Sequence, residues 1–163
     1  MVTALLADRA GARFKAHRSG CDVADGRLGE VPVTLARPRS YMNLSGKPVA
    51  ALTAFYKVPP DRLVVIHDEL DIPFGTLRLK LGGGDNGHNG LRSMRSSLGT
   101  GDFHRVRVGI GRPPGRQDVA DFVLSNYSAA ERKDVPFQVY DAADAVESLL
   151  TVGLARTQQE YNG

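Results

Sequence analysis

The sequence predicts an α/β fold: a single three-layer domain in which helices flank a twisted, mixed β-sheet. Three observations predict it. The chain has 163 residues, enough for one sizeable core and hardly for two. Short β-branched apolar runs alternate with stretches of helical period, the interleaving that builds a layered α/β domain. The composition, 42% hydrophobic and 24% charged, is that of a folded chain and excludes a disordered one. With no internal repeat, low-complexity tract or linker, residues 1–163 read as one domain.

Taken in order, Leu6, Ala10 and Phe14 recur four apart, so a first helix is expected over Leu5–Phe14. Cys21–Val23 and Val31–Leu35 are extended in pattern, and turn-prone Asp25-Gly26 between them predicts a hairpin. A second helix is expected from Gly46 to Lys57, with Pro48 tolerated in its first turn and Pro59-Pro60 stopping it. Leu63–Ile66 has the character of a strand covered on both faces. Leu77–Leu81 alternates apolar and basic residues as a further strand. A glycine-rich loop then leads to a short helix over Leu91–Leu98, and Val106–Ile110 alternates as a strand with one polar face. Ser128 and Glu131 have the spacing of a capping box. Beyond them Val139, Ala142, Ala143, Val146, Leu149 and Leu150 form an apolar stripe of the core-packing kind. Pro136 is expected to divide this helical region in two.

A formal charge of +3 and a pI near 9.2 suit a polyanionic partner without requiring one. The distribution says more. Arg37, Arg39, Lys47, Arg78, Lys80, Arg92, Arg95, Arg105, Arg107, Arg112 and Arg116 crowd the middle of the chain, and the stretch beyond them is more acidic. The single cysteine, Cys21, excludes an intrachain disulfide and points to a reducing compartment; it reads as a small, half-buried filler. No apolar run has the length of a membrane span, and Met1–Asp8 lacks the basic start of a signal peptide. A cytoplasmic protein is expected.

Four clusters carry chemistry. Tyr41-Met42-Asn43-Leu44-Ser45-Gly46 precedes the second helix; the Asn43 carboxamide has both donor and acceptor to orient a water or a carbonyl, while Asn43 or Ser45 could equally cap the helix. His67-Asp68-Glu69-Leu70-Asp71 follows the apolar strand. Strand carboxyl ends are where ligands bind in open α/β sheets, and an acid there can orient an imidazole, although solvated loop acids are the plain alternative. Gly82–Gly90 joins a strand to a helix. Such a loop exposes main-chain donors, and residues beyond a bare turn, His88 and Asn89, point to function. It matches G-x-G-x-x-G, but its mid-chain place and its missing partner acid argue against a dinucleotide site, and no Gly-Lys-Ser/Thr follows. Phe103–Arg112 sets arginines on one strand face, suited to phosphate or simply to solubility. No aromatic strand of the RRM kind is present, and no His/Cys spacing supports a metal. These residues alone describe a hydrolase-like or RNA-binding α/β domain with an Asn/Asp/His cleft.

Together the clusters resemble the bacterial-type peptidyl-tRNA hydrolase family. The likeness lies in Arg37–Lys47, in His67–Asp71, in Leu79–Gly84 with His88–Leu91, and in Arg105–Gly111, in that order and spacing, and runs nearly to Gln159-Glu160-Tyr161-Asn162. It implies cleavage of the ester between a peptide and the terminal ribose of tRNA, with water activated by a histidine base. By the same resemblance Asp68 supports the base, Asn43 and Asn89 hold water and substrate, Tyr41 contacts the tRNA, and His88 lines the cleft. Lys80 and Arg107 match a pair that grips a tRNA phosphate. Peptidyl-tRNA is the implied partner, no metal or organic cofactor is implied, and a monomer is expected. The family carries its base in a Thr-Arg-His-Asn turn, after an apolar strand and a Gly-Asn-Pro-Gly loop, before the first helix. His17, His67, His88 and His104 fall at other positions, so the expectation is a chain without that strand and base, through a mis-assigned start or a truncation. Two alternatives stand beside hydrolysis by the family mechanism. One is a non-catalytic tRNA- or RNA-binding module, and the other an enzyme using His67 or His88 as a substitute base.

Overall fold

The computed structural model describes residues 2–39, 45–69, 71–84, 88–109 and 129–162, with the main chain alone for Asp68, Asn89 and 129–138. Helix α1 spans Val2–Ala10 and buries Leu6 and Ala7. A two-residue strand β1 (Lys15–Ala16) leads into the hairpin β2 (Cys21–Leu28) and β3 (Val31–Pro38). Helix α2 (Gly46–Tyr56) ends at Lys57 in the left-handed conformation, ahead of the two prolines. After a single 3₁₀ turn come β4 (Val64–Glu69), β5 (Leu77–Leu81), α3 (Asn89–Leu98) and β6 (His104–Gly109). Two further helices follow, α4 (Ala129–Val152) and α5 (Leu154–Tyr161).

The α/β class, the three layers and the mixed pairing are as the sequence predicts. The strands, however, form two sheets among the described residues: β1-β2-β3, antiparallel throughout, and β4-β6-β5. In the second sheet β4 runs parallel to β6 and β5 antiparallel to it. On one side α1 and α4 join both sheets through a common core of Leu6, Ala24, Leu35, Leu79, Val106 and Val146. On the other side α2 meets the antiparallel sheet at Cys21, Val23 and Leu52, and α3 meets the mixed sheet around Val65, Leu91 and Phe103. Complete burial of each such aliphatic side chain contributes about 1.5–3 kcal/mol. Between β3 and β4 runs an apolar cleft of about 430 Å³, walled by Val33 and Leu35 on one side and Val64 and Ile66 on the other.

Several expectations are corrected. The first helix stops at Ala10, so Phe14 leaves its face and instead lies beneath the Arg37 guanidinium, 3.8 Å from the ring centroid. The hairpin turns at Gly29-Glu30, with Leu28 paired to Val31, and not at Asp25-Gly26. Gly26 stays in the strand because α1 crosses over it: a Cβ there would stand 2.8 Å from the Ala10 carbonyl oxygen. The strand begun at Val64 continues through His67 and Asp68 to Glu69, so these residues are part of the sheet rather than its following loop. Helix α4 is continuous across Pro136, and the chain breaks instead at Gly153, whose φ is +91°. The buried run Ala142, Ala143, Ala145, Val146 and Leu149 holds the helix on the core and outweighs a proline penalty of about 3 kcal/mol. Cys21 is fully buried rather than half-buried, and burial pushes its thiol up, which keeps it protonated and inert. Ser128 of the expected capping box lies outside the described residues, as do Ile110, Gly111, Arg112 and Arg116. No helix among the described residues is long and apolar enough to cross a membrane.

Candidate active site

The side chains of a strand alternate between faces, and register fixes which of them share one. In the mixed sheet His67 is opposite Arg107, Arg105 is opposite both Val65 and Lys80, and Arg78 is opposite Arg107. One face therefore carries His67, Glu69, Arg105, Arg107, Arg78 and Lys80. The reverse face carries Ile66, Leu77, Leu79, Val106 and Val108, which belong to the core under α4. The alternation read from Leu77–Leu81 and from Val106 onward is thus real, but on its polar face His67, Glu69 and Arg105 are buried. Central placement of β6 leaves Arg105 with no exposure at all, which removes both the solubility reading and a phosphate-binding role for that arginine.

Charge on this face is poorly solvated. Burial, then the nearby Arg107 and Arg105, lower the pKa of Lys80, and Glu69 acts in the opposite sense. Arg107 is likewise lowered, first by burial and then by Arg78, against the attraction of Glu69. Glu69 is itself buried, with a carboxylate oxygen 3.8 Å from His67 Nδ1. A single carboxylate is therefore shared in its influence between an imidazole and two cations.

The glycine loop rises directly from β5. Gly82 N donates to the Phe103 carbonyl at 3.0 Å, and Gly83 has a φ of +106°. A Cβ on Gly83 would stand 2.6 Å from Lys80 Nζ, so glycine here leaves the room that the ammonium occupies. At the far end of the loop His88 caps α3: Leu91 N donates to its Nδ1 at 3.2 Å. An imidazole that accepts at Nδ1 carries its proton on Nε2 when neutral. The same ring stands edge-on to that of His67, with centroids 5.0 Å apart. Helix α2 closes the neighbourhood. Its first residue, Gly46, donates its N–H to Ser93 Oγ at 2.8 Å, one turn into α3. A side chain at Gly46 would collide with the Ser93 main chain. Ser45 makes no side-chain cap on α2, so the purely capping reading fails for that residue.

His67, His88, Lys80 and Arg107 thus lie on or beside one face of the mixed sheet. Asp68 pairs in register with Val108 and Asn89 opens α3, but their side chains lie outside the described residues. Tyr41 and Asn43 lie wholly outside them, in the segment that leads into Gly46. Arg105 and Ser93 were missed as site-supporting residues by sequence reasoning. The signal for Arg105 was its place in a strand read as half-polar, which a two-sided cover would have turned inward; for Ser93 there was none.

A profile of the peptidyl-tRNA hydrolase family matches residues 1–163. The chain is 61% identical over 162 residues to the peptidyl-tRNA hydrolase of Frankia alni, covering 99% of this chain and 82% of that protein. To the peptidyl-tRNA hydrolase of Nocardia farcinica it is 60% identical over 163 residues, covering 99% and 84%. Among solved structures, the peptidyl-tRNA hydrolase of Acinetobacter baumannii superposes with a TM-score of 0.90 at 32% identity, over 98% of this chain and 81% of that one. The chain belongs to the peptidyl-tRNA hydrolase family, whose members are hydrolases acting on ester bonds.

Proposed function

We propose that this protein hydrolyses the ester bond of peptidyl-tRNA, releasing peptide and free tRNA. Asp68 and Asn43 act in catalysis: Asp68 orients the base, and the Asn43 amide holds the attacking water or the ester carbonyl. Tyr41, Asn43, His88 and Asn89 hold the acylated end of the tRNA, and Lys80 with Arg107 binds one of its phosphates. The observation that carries the reading is the position of His88. It starts α3, faces His67 on β4 at 5.0 Å, and ends the loop against which the Lys80 ammonium rests. In this reading the two histidines and the two cations serve one substrate, an ester flanked by phosphates.

The family resemblance implies a histidine as the base that Asp68 orients. A second reading, with His67 or His88 as base, is favoured by the 3.8 Å approach of Glu69 to His67 Nδ1, an acid–imidazole pair of the kind that supports proton transfer. Turnover of a peptidyl-tRNA by this chain and by an upstream-extended form tests both. In the active form, Asp68→Asn and Asn43→Ala lower kcat by roughly a hundredfold or more. Activity confined to the longer form rejects the second reading. Equal activity supports it, and His67→Ala and His88→Ala, made separately, then identify the base. Salt-sensitive tRNA binding without turnover in either form would replace the enzyme with an RNA-binding module.

A further inference from the structure

We propose that Arg105 is a positioning residue for this site: its buried guanidinium staples the carbonyls of Gly83 and Gly84 to that of Gly101 and so fixes the glycine loop that delivers His88. The role in the reaction rests on the function proposed above; the staple itself does not.

A loop of consecutive glycines has no side chains by which to be held, and its left-handed residues carry the largest backbone freedom of any. Gly82 and Gly83 have φ of +78° and +106°. Such a loop must be anchored through its main chain from outside. Arg105 meets that need. Nη1 donates to the Gly84 carbonyl, while Nη2 donates to Gly83 O at 2.8 Å and to Gly101 O at 2.9 Å. The guanidinium also lies 4.6 Å from the Phe103 ring centroid, which orients its plane. An arginine is seldom completely buried, and an aliphatic residue would pack as well beside Val65, Leu91 and Phe103. What arginine adds is a rigid fork of donors that reaches several acceptors at once, which neither leucine nor lysine reproduces. These three acceptors are peptide carbonyls, and the guanidinium brings its positive charge beside Lys80. That placement agrees with Arg105 being among the causes that lower the Lys80 pKa.

Residue-resolved amide exchange, together with kcat and tRNA affinity, tests this on the full chain with Arg105→Lys, Arg105→Met and Gly101→Ala. The last keeps the arginine, but its Cβ would stand 2.9 Å from the Gly83 carbonyl oxygen and 3.2 Å from Arg105 Nη2, prising the staple open. Exchange at Gly82 and Leu91, whose amides donate to the Phe103 carbonyl and to His88 Nδ1, is expected to rise by about tenfold or more while Val65 and Val106 keep their protection. Per folded molecule, kcat is expected to fall by about tenfold or more with tRNA Kd changed by less than about threefold. Arg105→Lys, which keeps the charge and loses the fork, should lie between wild type and Arg105→Met. Unchanged loop exchange, loosening spread evenly over the sheet, or a loosened loop with kcat within about twofold of wild type overturns the proposal. Should the Arg105 variants fail to fold, Gly101→Ala decides by the same criteria. Absence of turnover in both the unaltered protein and its upstream-extended form rejects the hydrolase reading instead, and the exchange result alone then judges the staple.

Discussion

Lys80 is held where its neighbours pull its charge in opposite directions: burial, Arg107 and Arg105 disfavour the ammonium, and Glu69 favours it. A free lysine keeps its proton to about 10.5, so the native protein releases that of Lys80 earlier than the unfolded chain does. Between the lowered value and 10.5 the unfolded state binds more protons. The Lys80 contribution to stability therefore rises with pH through that window, while the grip on phosphate weakens through the same window. Titration of tRNA affinity at fixed ionic strength should show this alkaline loss, and Lys80→Arg should move it to higher pH; an unmoved limb would mean another group is responsible. That a cation stands in the strand before the glycine loop was legible in the sequence, and its phosphate role came from the resemblance alone. Its electrostatic setting was not legible, because Glu69, Arg105 and Arg107 reach Lys80 only through strand pairing.

Helices and strands were read most accurately where local chemistry decides them. Proline and left-handed Lys57 end α2 where expected, and the expected strand Leu77–Leu81 has the bounds of β5, with Leu77 and Leu79 buried and Leu81 exposed. The misreadings share one cause, contacts distant in sequence. Asp25-Gly26 has the composition of a turn, but Gly26 was needed as the flat place over which α1 crosses β2. Gly26→Ala should therefore destabilise the protein by about 1–3 kcal/mol through overpacking, read as a lowered denaturation midpoint. A Gly29→Ala change, where a Cβ would meet no atom within 4 Å, strains only the turn and should cost less. Pro136 misled in the same manner: the rule against mid-helix proline is sound, and the packed stripe beyond it prevailed. Boundaries, more than the existence of elements, are where tertiary packing overrules propensity.

At the scale of the molecule, the layered α/β plan followed from the order of strands and helices, and the division of strands into two sheets did not, because sheet membership is a matter of which edges meet. The closure of one such edge shows how far pairing can depart from strand periodicity. Leu79, in the outermost strand of the mixed sheet, donates its N–H to Asn162 Oδ1 at 2.8 Å and accepts from Asn162 Nδ2 at 2.9 Å. Gln158 Nε2 adds a bond to the same carbonyl at 3.0 Å. Asn162→Ala should thus cost about 1–3 kcal/mol, the typical penalty for leaving buried main-chain groups unsatisfied, and thermal unfolding will measure it. A carboxamide presents the donor and acceptor of a peptide bond on a side chain, so Asn162 acts as one residue's worth of counterfeit neighbouring strand. It offers the sheet a companion that cannot extend into a ladder. At Leu79 the edge therefore offers no free main-chain pair to a second molecule, and removal of Asn162 should surface first as self-association on concentration, before any loss of fold.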